Sequence, residues 1–285
     1  MFNIDLDFLI NYFNNLNSVS KITVFLINWA VLWLPIVLPI FWFTKWQKSA
    51  PNTNPSKLTL ILSLYFLAPV LIWGVTIVEN ISISEIGIIW EASFFKSSLL
   101  GYILSISTLI VVYSLQLRQG WTSWKKTGSF DGNLALTIVA LVIVSFIIGT
   151  IEEIIFRGVF VHWLNQEYSL WISAIVSSAI FAVLHLIWEQ KNTIPQLPGL
   201  FLMGLVLFYG LVINDQSLGL AIGLHSGWVL ILACVDTFDL FDYNESLLGW
   251  IVGKKEQPLG SLMGLTVLLL TITSLYFYAH FYSLI

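Results

Sequence analysis

Long apolar stretches, each close to the length that a lipid bilayer requires, constrain the fold of this chain more than any other feature of its sequence. A membrane-spanning helix needs about 20 predominantly apolar residues. Eight stretches meet that description within a few residues, at 22–43, 58–78, 98–117, 134–162, 170–188, 197–213, 217–235 and 259–282. The segments between them contain the Pro, Gly and Asn residues that are typical of turns. The pattern predicts an all-α, polytopic membrane protein with about eight transmembrane helices.

The overall composition excludes several functional classes. Of the 285 residues, 58% are hydrophobic and only 10% are charged, which is outside the range of soluble globular domains. The formal net charge of −4 argues against nucleic acid as a partner. We therefore expect an integral, multi-pass membrane protein that is surrounded by the lipid bilayer.

The first 20 residues differ in pattern from the rest of the chain. Asp5 and Asp7 stand where a secretory signal would carry basic residues. Apolar residues nevertheless recur there at near-helical spacing, namely at Phe2, Leu6, Leu9, Ile10, Phe13 and Leu16. This pattern predicts an amphipathic segment at 1–20 that lies along the membrane surface, with an unstructured tail as the alternative. Three N-terminal transmembrane helices are then expected within 21–133.

The fourth apolar stretch contains three charged residues, Glu152, Glu153 and Arg157. Each charge within a membrane helix costs about 2.5–3.5 kcal/mol on insertion scales, so such residues mark functional positions. Glu153 and Arg157 lie one helical turn apart on the same face and are predicted to pair. Glu152 points about 100° away and has no partner within its own helix. Glu152 is therefore the carboxylate that remains available for chemistry.

Two lone histidines, His185 and His225, lie within the fifth and seventh apolar stretches. Glu152 precedes the turn near Tyr168 by 16 residues and His185 follows it by 17, so an antiparallel hairpin brings them to similar depth. His225 is expected near the middle of the bilayer. The sequence thus allows the three side chains to converge. The alternative is that each histidine only packs and hydrogen-bonds between helices.

A carboxylate beside two imidazoles in an apolar environment suits two mechanisms. Glu152 could act as a general base on water while a histidine polarises the substrate carbonyl or stabilises the oxyanion. Alternatively, Glu152, His185 and His225 could ligate a metal ion such as Zn²⁺, which would generate the hydroxide. The ligand set by itself does not choose between these mechanisms.

The charged cluster and the first histidine resemble motifs of the CPBP family (CaaX protease and bacteriocin-processing, also called Abi), which includes type II CaaX prenyl endopeptidases. The Glu-Glu-x-x-x-Arg motif of that family is matched by Glu152, Glu153 and Arg157. Its Phe-x-x-x-His motif is matched by Phe181 and His185. The resemblance gives Glu153, Arg157 and Phe181 structural or supporting roles.

The resemblance covers roughly 137–270, so the segment 134–285 is the expected CPBP-like catalytic core. It implies that the helices enclose a polar intramembrane cavity. It further implies an intramembrane endopeptidase that hydrolyses a peptide bond of a membrane-associated or prenylated protein. In such enzymes the residue matching Glu152 activates water, and those matching His185 and His225 bind the water or stabilise the oxyanion. This glutamate-dependent mechanism needs no cofactor, whereas a metalloprotease of the family would need a metal.

The chain departs from the third family motif, His-x-x-x-Asn or Asp. His225 matches its first position, but Val229 stands where the family has Asn or Asp. Val229 follows His225 by one helical turn, so we expect position 229 to face the same cavity. If the missing amide donates to the oxyanion, its loss would remove about 2.7–4 kcal/mol of transition-state stabilisation.

This departure supports an alternative function. The sequence around His225 is similar to members from photosynthetic lineages, in which some relatives act as scaffolds. The alternative is therefore a non-catalytic CPBP-type membrane scaffold that recruits other membrane proteins. An acidic loop fits that role, and it contains Asp236, Asp239, Asp242 and Glu245. The membrane is expected to be the plasma membrane or an internal membrane such as the thylakoid.

Overall fold

A computed structural model describes residues 6–44, 55–125, 133–187, 190–244, 249–254 and 257–282. Among these residues, eight helices are long and apolar enough to cross a membrane, at 18–40, 59–79, 92–118, 134–164, 170–187, 190–213, 219–237 and 262–281. The predicted all-α, polytopic membrane fold is confirmed. The third span begins at Ala92 rather than at residue 98, because Phe94 and Ser97 are buried against Gly219 of the seventh span.

The helices and strands are numbered along the chain. The helices of the N-terminal part are α1 Leu6–Asn14, α2 Ser18–Thr44, α3 Pro55–Glu79 and α4 Ala92–Arg118. Those that follow are α5 Leu134–Glu153, α6 Phe160–Leu164, α7 Leu170–Leu184, α8 Gln190–Thr193, α9 Leu197–Ile213, α10 Gly219–Thr237, α11 Gly249–Val252 and α12 Leu262–Tyr282. Two short strands, β1 Thr122–Trp124 and β2 Phe241–Tyr243, pair antiparallel with Ser123 opposite Asp242.

The N-terminal segment contains the short helix α1. Phe8 and Tyr12 on this helix are exposed, whereas Phe13 packs against the core. Asn14 Nδ2 donates to Val78 O on α3, which ties the end of α1 to the body of the protein. Phe2 and Asp5, which belong to the predicted amphipathic segment, lie outside the described residues.

Helix α10 occupies the centre of the bundle, and every residue from Gly219 to Trp228 is buried. Its glycines allow this placement. A Cβ at Gly223 would overlap the carbonyl oxygen of Ser98 on α4, and one at Gly227 would overlap Ser105 Oγ on the same helix. Small residues that recur every four positions let membrane helices approach closely, because their interfaces rely on packing rather than on the hydrophobic effect. The seam between α4 and α10 therefore determines where His225 lies.

The fourth spanning helix contains a π-helical turn, Ile154–Val159, between α5 and α6. The Phe160 N–H donates to Ile155 O, five residues back, instead of to Phe156 O. Ser177 Oγ on α7 donates to Phe156 O at 2.6 Å and satisfies that carbonyl. Single π turns of this kind interrupt α-helices frequently at functional sites. Here the turn follows directly after Glu152 and Glu153.

A buried polar contact joins the N-terminal helices to the helix that carries Glu152. Lys21 Nζ on α2 lies 2.5 Å from Glu79 Oε1 at the end of α3. Glu79 Oε2 accepts a hydrogen bond of 2.6 Å from Trp163 Nε1 on α6. Nearby, Ser18 donates through its N–H and its hydroxyl to the carboxylate of Glu167. These contacts fix α2 and α3 against one end of the fourth span.

Candidate active site

Glu152 is buried and makes its polar contacts with other helices. Its Oε1 accepts a hydrogen bond from the hydroxyl of Tyr65 on α3. Its Oε2 lies 3.4 Å from Nε2 of His225, which is long for a hydrogen bond. Within the part of the chain that the structure describes, this Oε2 atom has no hydrogen-bond partner. One carboxylate oxygen of Glu152 is thus occupied, and the other remains free to accept a proton.

His225 lies between the two adjacent glutamates. Its Nδ1 is 2.8 Å from Oε1 of Glu153, and its Nε2 faces Glu152. An ionised carboxylate only accepts hydrogen bonds, so Nδ1 carries the proton of that contact. A histidine whose Nδ1 is held by a carboxylate has a defined ring orientation and tautomer. The sequence prediction that Glu152 and His225 converge agrees with this arrangement.

Glu153 and Arg157 form the predicted pair one turn apart. Arg157 Nη1 lies 2.9 Å from Glu153 Oε1, and both side chains are fully enclosed. Arg157 Nη2 also donates to Gly204 O at 3.2 Å, and the guanidinium lies 4.5 Å from the ring centre of Phe181. Phe181 therefore supports the cluster through a cation–π contact. The sequence predicted only the ion pair of Glu153 with Arg157, whereas the same Glu153 oxygen also holds His225.

His185 is located at the end of α7, where a 3₁₀ turn, His185–Ile187, begins. Its Nδ1 is 2.8 Å from the carbonyl oxygen of Phe181. A carbonyl only accepts, so Nδ1 carries the hydrogen and Nε2 is the nitrogen left for chemistry. The imidazole also packs edge-on against the Phe181 ring, with 4.7 Å between ring centres.

A cavity of about 390 Å³ joins Glu152 to His185. Its remaining walls are apolar and come largely from the N-terminal helices, with Leu26, Trp29, Ala30 and Trp33 from α2 and Leu64 and Tyr65 from α3. Phe156, Leu184 and Ile187 complete it. The two predicted groups therefore line one cavity. An apolar wall with a few convergent polar groups is typical of a binding site.

Tyr65 is the site residue that the sequence analysis missed. It lies in the apolar run Leu64-Tyr65-Phe66, where an aromatic residue is indistinguishable from a core or interfacial residue. The available signal was a phenol in the interior of a predicted membrane helix, because a buried hydroxyl needs a polar partner.

Val229 does not face the Glu152 cavity, contrary to the expectation from helix periodicity. It lines a separate cavity of about 60 Å³ together with Met203, Trp228 and Leu259. His225 and Val229 lie on one helix face, but position 229 lies beside residues of α9 and α12 and does not line the cavity that contains His185.

Glu152, His185 and His225 are also the candidate ligands of a metal ion. Among the described residues, no group of three or more His, Cys, Asp and Glu side chains is arranged to hold a metal ion. Glu152, His185 and His225 therefore do not fit a three-ligand metal site in this arrangement, and no step below uses a metal.

Part of the chain matches a known protein family. The model of the type II CAAX prenyl endopeptidase Rce1-like family matches residues 134–231, about a third of the chain. Searches of curated proteins and of solved structures gave no significant match. The matched segment contains all of the motif residues discussed above, from Glu152 to Val229, and it excludes the N-terminal helices that supply Tyr65. Residues 134–231 thus match the Rce1-like family of type II CAAX prenyl endopeptidases, in agreement with the resemblance to the CPBP family.

Proposed function

We propose that the protein is an intramembrane endopeptidase that hydrolyses a peptide bond of a membrane-associated or prenylated protein with a glutamate-activated water. The carrying observation is the unpaired Oε2 of buried Glu152, which faces His225 and belongs to a cavity shared with His185. A carboxylate inside a membrane helix raises the free energy of insertion, so its presence there indicates a functional role. The surroundings of Glu152 Oε2 support a role in which this oxygen accepts a proton from water.

Glu152 is the general base in this mechanism. A water molecule bound in the cavity gives one proton to Oε2 of Glu152 while its oxygen attacks the carbonyl carbon of the substrate. The resulting tetrahedral oxyanion collapses, the C–N bond breaks, and the proton on Glu152 passes to the leaving amine. General base catalysis of this kind contributes about 10²–10⁴ to the rate.

His185 and His225 have different tasks. His185 lines the cavity and its Nδ1 is held by the Phe181 carbonyl, which leaves Nε2 to bind the attacking water or the oxyanion. His225 acts beside Glu152, and Glu153 orients it through Nδ1. Arg157 in turn compensates the charge of Glu153. The chain Arg157–Glu153–His225 thus pre-organises the group that faces Glu152, and pre-organised polar groups are the main source of transition-state stabilisation.

The scaffold alternative is less well supported by the structure of the acidic loop. Lys125 forms ion pairs with Asp239 and Asp242, the latter at 3.9 Å, so part of the acidic charge is already compensated. Glu245, the fourth acidic residue of the predicted docking surface, lies outside the described residues. A scaffold also has no need for an unpaired carboxylate oxygen beside a cavity, and this difference separates the two functions.

The test is cleavage in proteoliposomes with a pool of membrane proteins and prenylated C-terminal peptides. Wild type is expected to cleave, and Glu152→Gln and His185→Gln are expected to lose about 10²-fold or more of the rate while remaining folded. His162→Gln is the matched control, because His162 on α6 does not line the cavity. Full activity in Glu152→Gln would refute the mechanism. Absence of cleavage by wild type across the whole pool would favour the scaffold.

A further inference from the structure

The N-terminal helices contribute a polar group directly to the glutamate. Tyr65 on α3 is buried and donates its hydroxyl hydrogen to Oε1 of Glu152. It also lines the cavity that contains Glu152 and His185. Residue 65 lies outside the segment 134–231 that matches the family. The contact therefore joins a helix outside the matched domain to the carboxylate at its centre.

Two contacts, far apart along the helices, fix the register of α3 against the helix that carries Glu152. The first is the hydrogen bond from Tyr65 to Glu152. The second is the hydrogen bond from Trp163 to Glu79, which lies further along both helices in the same direction. Tyr65 and Glu79 are 14 residues apart on α3, which corresponds to about 21 Å. Glu152 and Trp163 are 11 residues apart, or about 17 Å. Attachment at both points prevents α3 from sliding or rotating relative to Glu152.

Helix α2 also forms hydrogen bonds with the turn of α3 that contains Tyr65. Trp29 Nε1 donates to Leu64 O at 3.1 Å, and Trp33 Nε1 donates to Ser63 Oγ at 2.9 Å. The two residues that precede Tyr65 are thus each hydrogen-bonded to an indole. Helix–helix hydrogen bonds in a membrane interior keep polar groups satisfied and define the relative position of helices. The hydroxyl of Tyr65 is accordingly held in place rather than free to leave the carboxylate.

We propose that Tyr65 is a positioning residue for Glu152 in the reaction proposed above, on which this inference rests. With Oε1 occupied by the phenol, the rotation of the carboxylate is fixed and Oε2 is the oxygen turned toward His225 and the incoming water. A hydrogen bond from a hydroxyl to a carboxylate is charge-assisted and strong enough to hold that orientation. The family-matched domain on its own would leave the Glu152 carboxylate free to rotate.

Tyr65→Phe tests this role because it removes the hydroxyl and keeps the ring. We expect kcat to fall about 10- to 100-fold with KM within about twofold of wild type, since the lost interaction acts on Glu152 and not on substrate binding. Tyr113→Phe is the matched control, because Tyr113 on α4 is half-buried and does not line the cavity that contains Glu152. Tyr113→Phe should keep wild-type kcat. Wild-type kcat in Tyr65→Phe, or an equal loss in Tyr113→Phe, would overturn the proposal.

A thermal-unfolding cycle of Tyr65→Phe, Glu152→Gln and the double variant separates this inference from the proposed function. The two changes should be non-additive, because the residues are in contact. Both proposals are supported if wild type cleaves, if kcat falls in Tyr65→Phe, and if the unfolding cycle shows coupling between Tyr65 and Glu152. If wild type does not cleave, the proposed function fails, and the positioning role of Tyr65 in the reaction fails with it even if coupling is found. If Tyr65→Phe does not fold, 3-fluorotyrosine at position 65 replaces it, and an unchanged kcat then counts against the role.

Discussion

His225 lies 2.8 Å from Glu153, Nδ1 to Oε1, and this contact makes Glu153 the junction of the site. The same oxygen accepts the hydrogen bond from Arg157. The sequence motif predicts that Glu153 pairs with Arg157. The same carboxylate also orients the imidazole of His225 beside Glu152. In the proposed mechanism, stability and catalysis therefore both depend on this carboxylate, and mutations can separate the two effects.

Glu153→Gln should destabilise the fold by about 3–5 kcal/mol, because it leaves the charge of buried Arg157 uncompensated. The double variant Glu153→Gln with Arg157→Met should recover most of that stability, since no buried charge remains. Cleavage should stay low in the double variant, because His225 still lacks its ionised partner. Unfolding in detergent micelles and cleavage rates measure the two effects. Wild-type stability in the single variant would contradict the assignment of the buried pair.

The close seam between α4 and α10 makes Gly223 a second sensitive position. Gly223→Ala would push the new methyl group against the carbonyl oxygen of Ser98 and force the helices apart. We expect a loss of at least about 1–3 kcal/mol in the free energy of unfolding, together with reduced cleavage as His225 moves away from Glu152. Gly210→Ala on α9 is the control, since its Cβ would find its nearest neighbour at an ordinary 3.5 Å. Equal stability of the two variants would show that the seam is not tight.

The helical fold and the pairing of Glu153 with Arg157 could be predicted from the sequence because their signals are local. Apolar runs of spanning length and charges within them need no knowledge of tertiary contacts. The one-turn spacing of Glu153 and Arg157 likewise predicts their pairing. The π turn at 154–159 could not be predicted, because Ser177 on another helix satisfies the carbonyl that the turn leaves free. Tyr65 was missed for the same reason, since its partner is 87 residues away in the chain.

Val229 shows how helix periodicity can mislead about a site. A spacing of one turn correctly places Val229 on the side of α10 that carries His225, but neighbouring helices decide which cavity each residue reaches. Val229→Asn should therefore not increase cleavage, because the amide would enter the small apolar cavity beside Met203 and Leu259. We expect it to lower the free energy of unfolding by about 1–3 kcal/mol through an unsatisfied buried amide. Cleavage that appears or rises in Val229→Asn, measured in the proteoliposome assay, would show that position 229 acts on the reaction after all.

The aromatic wall of the cavity should determine how tightly substrate binds. Trp33 is half-buried on α2, its indole is held by Ser63, and it lines the cavity together with His185. Trp33→Ala should raise KM about tenfold or more by removing apolar contact area, with a smaller effect on kcat because Glu152 and its partners are unchanged. Trp73→Ala is the matched control, since Trp73 on α3 is 66% exposed and does not line this cavity. Unchanged KM in Trp33→Ala, or an equal rise in Trp73→Ala, would place the substrate elsewhere and would require a different route from the bilayer to Glu152.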